Sequence, residues 1–147
     1  MFFLILLFGK EVLLTSAPVS ITNEWFVLEL EDKISALNSG ATINVQLSPE
    51  GPIIKEIKGS EAPFEKLYEL IPYETIEAVL IDTNNNEAIF SNGSFSISDG
   101  EFKRQDSVRI KLMHKTGELL NRKFKTLKIR TKIPLDNVHI AWKNYSK

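Results

Sequence analysis

Chemistry in this chain would have to come from few residues. There are two histidines, His114 and His139, and no cysteine. The second fact removes thiolate nucleophiles, thiolate metal sites and disulfide-linked partners together. His114 is followed by Lys115, a cation that disfavours the imidazolium. His139 has Asp136 as its near acidic neighbour in sequence, whereas a Ser-His-Asp site needs a base firmly oriented by an acid. Neither reads as catalytic. Asp82, Asn84 and Asn86 match the first three ligand positions of a calcium loop, but Glu87 stands where glycine is required and Gly93 where a bidentate glutamate is required. That segment reads as a polar turn. Glu29 with Glu31, and Glu65 with Glu69, follow ordinary strand and helix spacing on wet faces; a glycosidase would need two carboxylates facing each other across a cleft. No phosphate-loop, dinucleotide, nucleophile-elbow or zinc-protease pattern occurs, so neither cofactor nor metal is expected. Asn92-Gly93-Ser94 and Asn144-Tyr145-Ser146 fit the N-glycosylation sequon, which acts only in a eukaryotic secretory pathway.

What remains is a row of cations. Lys123, Lys125, Lys128, Arg130 and Lys132 follow Arg109 and Lys111 in a stretch that alternates basic and aliphatic residues. On a strand, such alternate side chains stand about 7 Å apart on one face. The expected site is a basic face of these seven residues, with Arg109 and Lys111 across the ladder from the others. It would attract phosphate-rich polymers or anionic head groups, and salt would weaken it. Residues 101–147 hold 13 Lys and Arg against four acids (Glu101, Asp106, Glu118 and Asp136), while residues 1–100 hold five against 15. The near-neutral total hides a basic C-terminal half. Two oppositely charged solvated faces would produce the same count. Single-strand nucleic-acid readers interleave exposed aromatics with their cations. Phe95, Phe102, Phe124 and Trp142 fall in the apolar phase and are read as core, so nucleic acid is the less favoured partner.

The elements that must position this row are strands. Val108, Ile110 and Leu112 alternate with Arg109, Lys111 and Met113, and Leu127, Ile129, Thr131 and Ile133 with Lys128, Arg130 and Lys132. With a turn at 115–118 they are expected to pair as the central hairpin. Phe124 is out of phase with Leu127, which predicts a bulge near Lys125-Thr126. Half-buried strands are expected over residues 23–31 and 41–48, the two flanking a turn at Asn38-Ser39-Gly40. Ser48 to Pro52 should leave the sheet, with a short strand at Ile53 to Lys58. Residues 61–71 break the pattern: Phe64, Leu67, Tyr68 and Ile71 make a helical stripe, capped by Ser60 and ended by Pro72. A meander follows, with a strand at Ile76 to Asp82 and a turn at Thr83 to Asn86. Hairpin turns are predicted at Asn92-Gly93 and Asp99-Gly100, the first setting Phe90 opposite Phe95. Residues 103–106 are read as a loop or bulge. The last strand carries Val138, Ile140 and Trp142 inward.

A chain of 147 residues suits one domain. Many short strands with regular turns predict a mainly β, single-domain antiparallel β-sandwich, immunoglobulin-like or jelly-roll-like, with one short helix at about 61–71. An OB-type barrel with extra strands is the alternative. Residues 1–17 form a hydrophobic segment that reads as an atypical export signal, and residues 18–147 as the domain. Met1 to Phe8 is apolar throughout, but Lys10 and Glu11 interrupt it and Pro18 follows the small-residue site at Thr15-Ser16-Ala17. A hydrophobic first strand would explain the same run. The functional expectation is a non-catalytic binding module, periplasmic or secreted, docking a protein, a glycan or an anionic surface. A cytoplasmic, OB-like single-strand nucleic-acid binder is the second reading and a glycan-active hydrolase the third.

Overall fold

A computed structural model describes residues 10–36, 41–49, 51–98, 107–115 and 122–144. The strands are β1 (Lys10–Leu13), β2 (Val19–Ile21), β3 (Phe26–Ala36), β4 (Ala41–Leu47), β5 (Ile76–Asp82), β6 (Glu87–Ser98), β7 (Ser107–His114), β8 (Arg122–Thr131) and β9 (Leu135–Asn144). Two helices, α1 (Pro52–Lys58) and α2 (Pro63–Leu70), lie between β4 and β5. All pairings are antiparallel, and the order across the sheet is β1-β9-β4-β7-β6-β5-β8-β3, with β2 also on β9. The fold is mainly β and barrel-like or sandwich-like, as the strand count predicts.

The connection from β8 to β9 shows why the sheet curls. Four strands separate the two in the sheet, which in a flat sheet would put them about 24 Å apart. The link from Thr131 to Leu135 can reach only about 14 Å. The sheet must therefore bend until its two ends approach. The Thr131 amide then donates to the Thr22 carbonyl at 2.8 Å, tying the end of β8 to the chain leaving β2.

Curling puts the apolar faces of all strands inside. Ile43, Val45, Ile110, Leu112 and Ile140 meet Leu80, Phe90, Phe124, Leu127 and Ile129 there, all buried. Trp142 sits edge-on to Phe124 (5.9 Å) and to Phe90 (6.1 Å), joining the two halves. The expected inward set of the last strand is observed. The helices close one end through Ile54, Ile57, Leu67 and Ile71, each fully buried. Helices this short are not stable alone, so this packing holds them.

Four local expectations are corrected. Residues 53–58 are helix, not strand. Pro52 at the first turn presets a helical φ, and Ile54 and Ile57 bury at i, i+3 while Lys55, Glu56 and Lys58 stay exposed. The second helix falls within 61–71 as predicted, but it starts at Pro63 without a side-chain cap, and the Ser60 hydroxyl accepts from the Ala62 amide before it. Phe64 of its stripe is 49% exposed.

The Asn92-Gly93 hairpin is absent, because β6 runs straight through it. The Asn92 side chain is buried; its Oδ1 accepts from the Ile76 amide at 3.2 Å and its Nδ2 donates to the Pro72 carbonyl at 2.9 Å. Gly93 falls at a register shift on β7, where a Cβ would collide with the Met113 side chain. Phe90 and Phe95 are an odd number of residues apart yet both point inward, and the bulge supplies the missing residue. The hairpin of this region instead closes at Asp82–Asn86, the predicted polar turn, with Asn85 at φ 67°.

The fourth correction is that β7 and β8 do not pair. β7 lies between β4 and β6, and β8 between β5 and β3. The bulge near Lys125 is present: Ile81 faces Thr126 and Asp82 faces Phe124, so Lys125 is skipped. The turns predicted at 38–40, 99–100 and 115–118, and the loop at 103–106, lie wholly or largely outside the described residues. At the N-terminus β1 pairs with β9, Leu14 enters the core, and the Thr15 hydroxyl accepts from the Ile140 amide at 3.1 Å.

Candidate functional site

The seven predicted cations separate into three groups. Arg109 and Lys111 stand on β7, opposite Gln46 and Asn44 of β4. Arg109 donates through Nε and Nη2 to the two carboxylate oxygens of Glu11, both at 3.3 Å. Glu11 also accepts from Asn44 Nδ2 at 2.9 Å, and Asn44 Oδ1 accepts from the Thr42 hydroxyl at 2.9 Å. These residues bind the N-terminal strand to the sheet. With β6 and β5 between them and β8, Arg109 and Lys111 do not join the expected face.

Lys123 and Lys125 stand at the far end of β8. Lys123 is exposed opposite Ser35, and Lys125 Nζ reaches Asn85 Oδ1 of the β5–β6 turn at 2.6 Å. Beside them Arg122 Nε donates to Asp82 Oδ2 at 3.1 Å, while Asp82 Oδ1 accepts from the amides of Asn84 and Asn86. Burial pushes the Asp82 carboxyl up, but the Asn86 and Asn84 amides and Arg122 outweigh it, and the result lies below the usual carboxylate range. Asp82 and Asn84 here build a turn.

Lys128, Arg130 and Lys132 form the third group. Lys128 stands between Val27 of β3 and Val79 of β5, and Arg130 beside Glu77. Trp25, one residue ahead of β3, brings its ring under both: Arg130 Cζ is 4.2 Å and Lys128 Nζ 5.0 Å from the centroid. Each such contact contributes about 0.5–1 kcal/mol at an exposed site. Arg130 also donates to Glu77 Oε1 through Nε (3.1 Å) and Nη2 (3.0 Å). Lys128 and Lys132 have no ion-pair partner among the described residues.

A pocket of about 480 Å³ opens on this face, lined chiefly by Glu74, Glu77, Ser91, Lys115, Arg130 and Lys132. Lys115 comes from the end of β7 and donates to Glu74 Oε1 at 2.8 Å. That bond and the Lys115 charge hold the Glu74 carboxyl below its usual range, with Lys132 adding to the effect. Glu74 in turn holds the Lys115 ammonium above its usual value.

Three members of this site, Trp25, Glu74 and Lys115, escaped the sequence reading. Trp25 shares the alternation of Val27 and Glu29, the phase opposite to Phe26 and Leu28, so its outward position was readable. Glu74 and Lys115 carry no local signal, because separate chain segments bring them together. The histidines have structural surroundings: His139 Nδ1 lies 3.3 Å from the Thr15 hydroxyl, and the His114 ring packs 5.3 Å from that of Phe90. Among the described residues no three His, Asp or Glu are placed to hold a metal ion, and no helix is long and apolar enough to cross a membrane. Comparison with protein-family models, curated proteins and solved structures finds no match.

Proposed function

We propose that the protein is a non-catalytic interaction module of the cell envelope or exterior that docks an anionic partner on the outer face of β8. The observation that carries this reading is the meeting of Lys128, Arg130, Lys132 and Lys115 on one side of the sheet, next to Trp25. The carboxylates bonded to them are Glu74 and Glu77, and Glu29 stands beyond Lys128 beside Thr126, so the four cations still outnumber the acids where a partner would sit. Complementary charge of this kind steers encounter and sets orientation more than it adds affinity. The test is binding of heparin, polyphosphate and vesicles containing anionic lipid to the native chain and to a Lys128→Glu, Arg130→Glu, Lys132→Glu variant. The native chain should bind at least one of these, more weakly as salt rises. Equal affinity of the two proteins for every polyanion would end the reading.

The envelope assignment rests on the apolar run Met1 to Phe8. Removal of residues 1–17 would take away β1, Leu14 and the Thr15 bond to β9. We therefore propose that the exported protein keeps residues 10–17. A native N-terminus at Pro18, read by intact mass after cell fractionation, would refute this; a full-length chain in the soluble cytoplasm would refute export.

A second reading has one observation in its favour. Trp25 places an aromatic ring among the cations, the combination used to stack and neutralise single-stranded nucleic acid. Oligonucleotide binding that is salt-sensitive and lost in Trp25→Ala would support it, and none at low salt would remove it.

A further inference from the structure

We infer that the pocket at the end of β8 is a subsite for a compact tetrahedral anion, a phosphate or sulfate ester, gripped by Lys115 and Lys132, and that Glu74 occupies the anion's position in its absence. The inference rests on reading this face as anion-binding.

The turn that presents Glu74 is built with unusual care. Glu74 has φ 60°, a left-handed conformation that a glutamate adopts only when its surroundings impose it. Here they do. The Thr75 amide and hydroxyl both donate to the Pro72 carbonyl, and so does Asn92 Nδ2 from β6. Asn92 Oδ1 holds the Ile76 amide just beyond, and the Lys132 amide donates to the Thr75 carbonyl at 2.9 Å. A buried side chain from a third strand thus fixes the turn on both sides of Glu74. The effect is to aim one carboxylate at Lys115, from a position that Lys132 also borders.

The pair so formed is easy to exchange. Lys115 and Glu74 are 45% and 61% exposed, and ion pairs of that exposure contribute little. Lys132 lines the same pocket, forms no salt bridge there among the described residues, and acts on Glu74 through its charge. Two flexible ammonium groups act as point charges that can close on a compact anion from several directions, a known way of holding phosphate. The Arg130 fork is engaged by Glu77. Ile89 supplies an apolar wall and Ser91 a hydroxyl, and the volume accommodates the group bearing the ester.

The test is an amide NMR titration of the full chain with inorganic phosphate, and separately with inorganic sulfate, at constant ionic strength. Saturable shifts should be confined to residues 74–77, Ser91, Lys115 and 130–132. Glu74→Gln should tighten the apparent Kd about threefold, the scale of an exposed ion pair. Glu74→Gly, which removes the carboxylate and accepts the left-handed φ, should do the same, and Lys132→Gln should weaken it. No saturable shift, shifts spread evenly over the lysines, or no response to either Glu74 variant would overturn the inference. Heparin titrated into the same samples separates the two proposals. If heparin binds and Lys128→Glu weakens it while phosphate leaves the pocket unshifted, the face stands and the subsite falls. If heparin, polyphosphate and anionic vesicles also fail to bind, both fall.

Discussion

β7 and β8 carry the same alternation of aliphatic and basic residues, and the fold puts their cations to different uses. On β7, Arg109 is clamped to Glu11 beside the buried amide of Asn44. On β8, Lys128 and Lys132 form no salt bridge among the described residues, and Arg130 stands over Trp25 at the rim of a pocket. The strands themselves do not differ in kind. Their neighbours do: β4 and β1 offer Arg109 amides and a carboxylate, whereas Lys128 stands between Val27 of β3 and Val79 of β5 near the Trp25 indole, and Glu77 of β5 bonds Arg130. The adjoining strands decide how much of a basic strand face's charge is left uncompensated.

The contrast also runs along β8, and the largest expected effect tests it there. Asp82→Ala removes the acceptor of two turn amides and leaves Arg122 partly buried without its carboxylate. Urea denaturation should show a loss of about 3 kcal/mol, with heparin affinity retained. A loss under about 0.5 kcal/mol would remove the structural role assigned to this end of the strand. The same carboxylate sets a pH dependence. Its folded pKa lies below the unfolded one, so its contribution is full above the unfolded value and disappears as pH falls through the folded value. Asp82→Asn should flatten that acid limb.

Next in size is the β7 side. Asn44→Ala removes the amide that accepts from the Thr42 hydroxyl and donates to Glu11, for a cost of about 2 kcal/mol in the same denaturation measurement. Polyanion affinity should not move. Lys128→Glu with Lys132→Glu should behave in the opposite way: heparin binding weakens about tenfold, or 1.4 kcal/mol, while stability stays within about 0.5 kcal/mol. The smallest effect is the sharpest discriminator. Arg109→Gln should cost about 0.5 kcal/mol in stability and leave heparin affinity unchanged at physiological salt. A drop matching that of the β8 variant would mean that both rows belong to one binding face.

Much of the fold was legible locally. The inward set of β9, the outward phase of β8, the bulge at Lys125, the helix near 63–70 and the turn after Asp82 follow from periodicity and turn chemistry, whereas β4, read as half-buried, buries Thr42 and Asn44 of its polar phase too. Of the site, Lys128, Arg130 and Lys132 were legible as outward residues, and Trp25 was readable from the phase of β3. Residues 53–58 misled because a short aliphatic run fits either period, and only burial of Ile54 and Ile57 at the barrel end makes the helix pay.

The sequence by itself determined which phase of β8 and β9 enters the core, because that follows from the two-residue period and the distribution of apolar side chains. Partnership came from the tertiary structure. β7 and β8, adjacent in the chain, are held two strands apart by a sheet that must close through the short β8–β9 link. Asn92-Gly93, a hairpin signal in isolation, became a bulge because the Asn92 amide finds buried partners at Pro72 and Ile76. The same closure brought Glu74 from one segment and Lys115 from another to the end of β8. Local pattern carries no information about such meetings, since their free energy is realised only when distant segments are already in place.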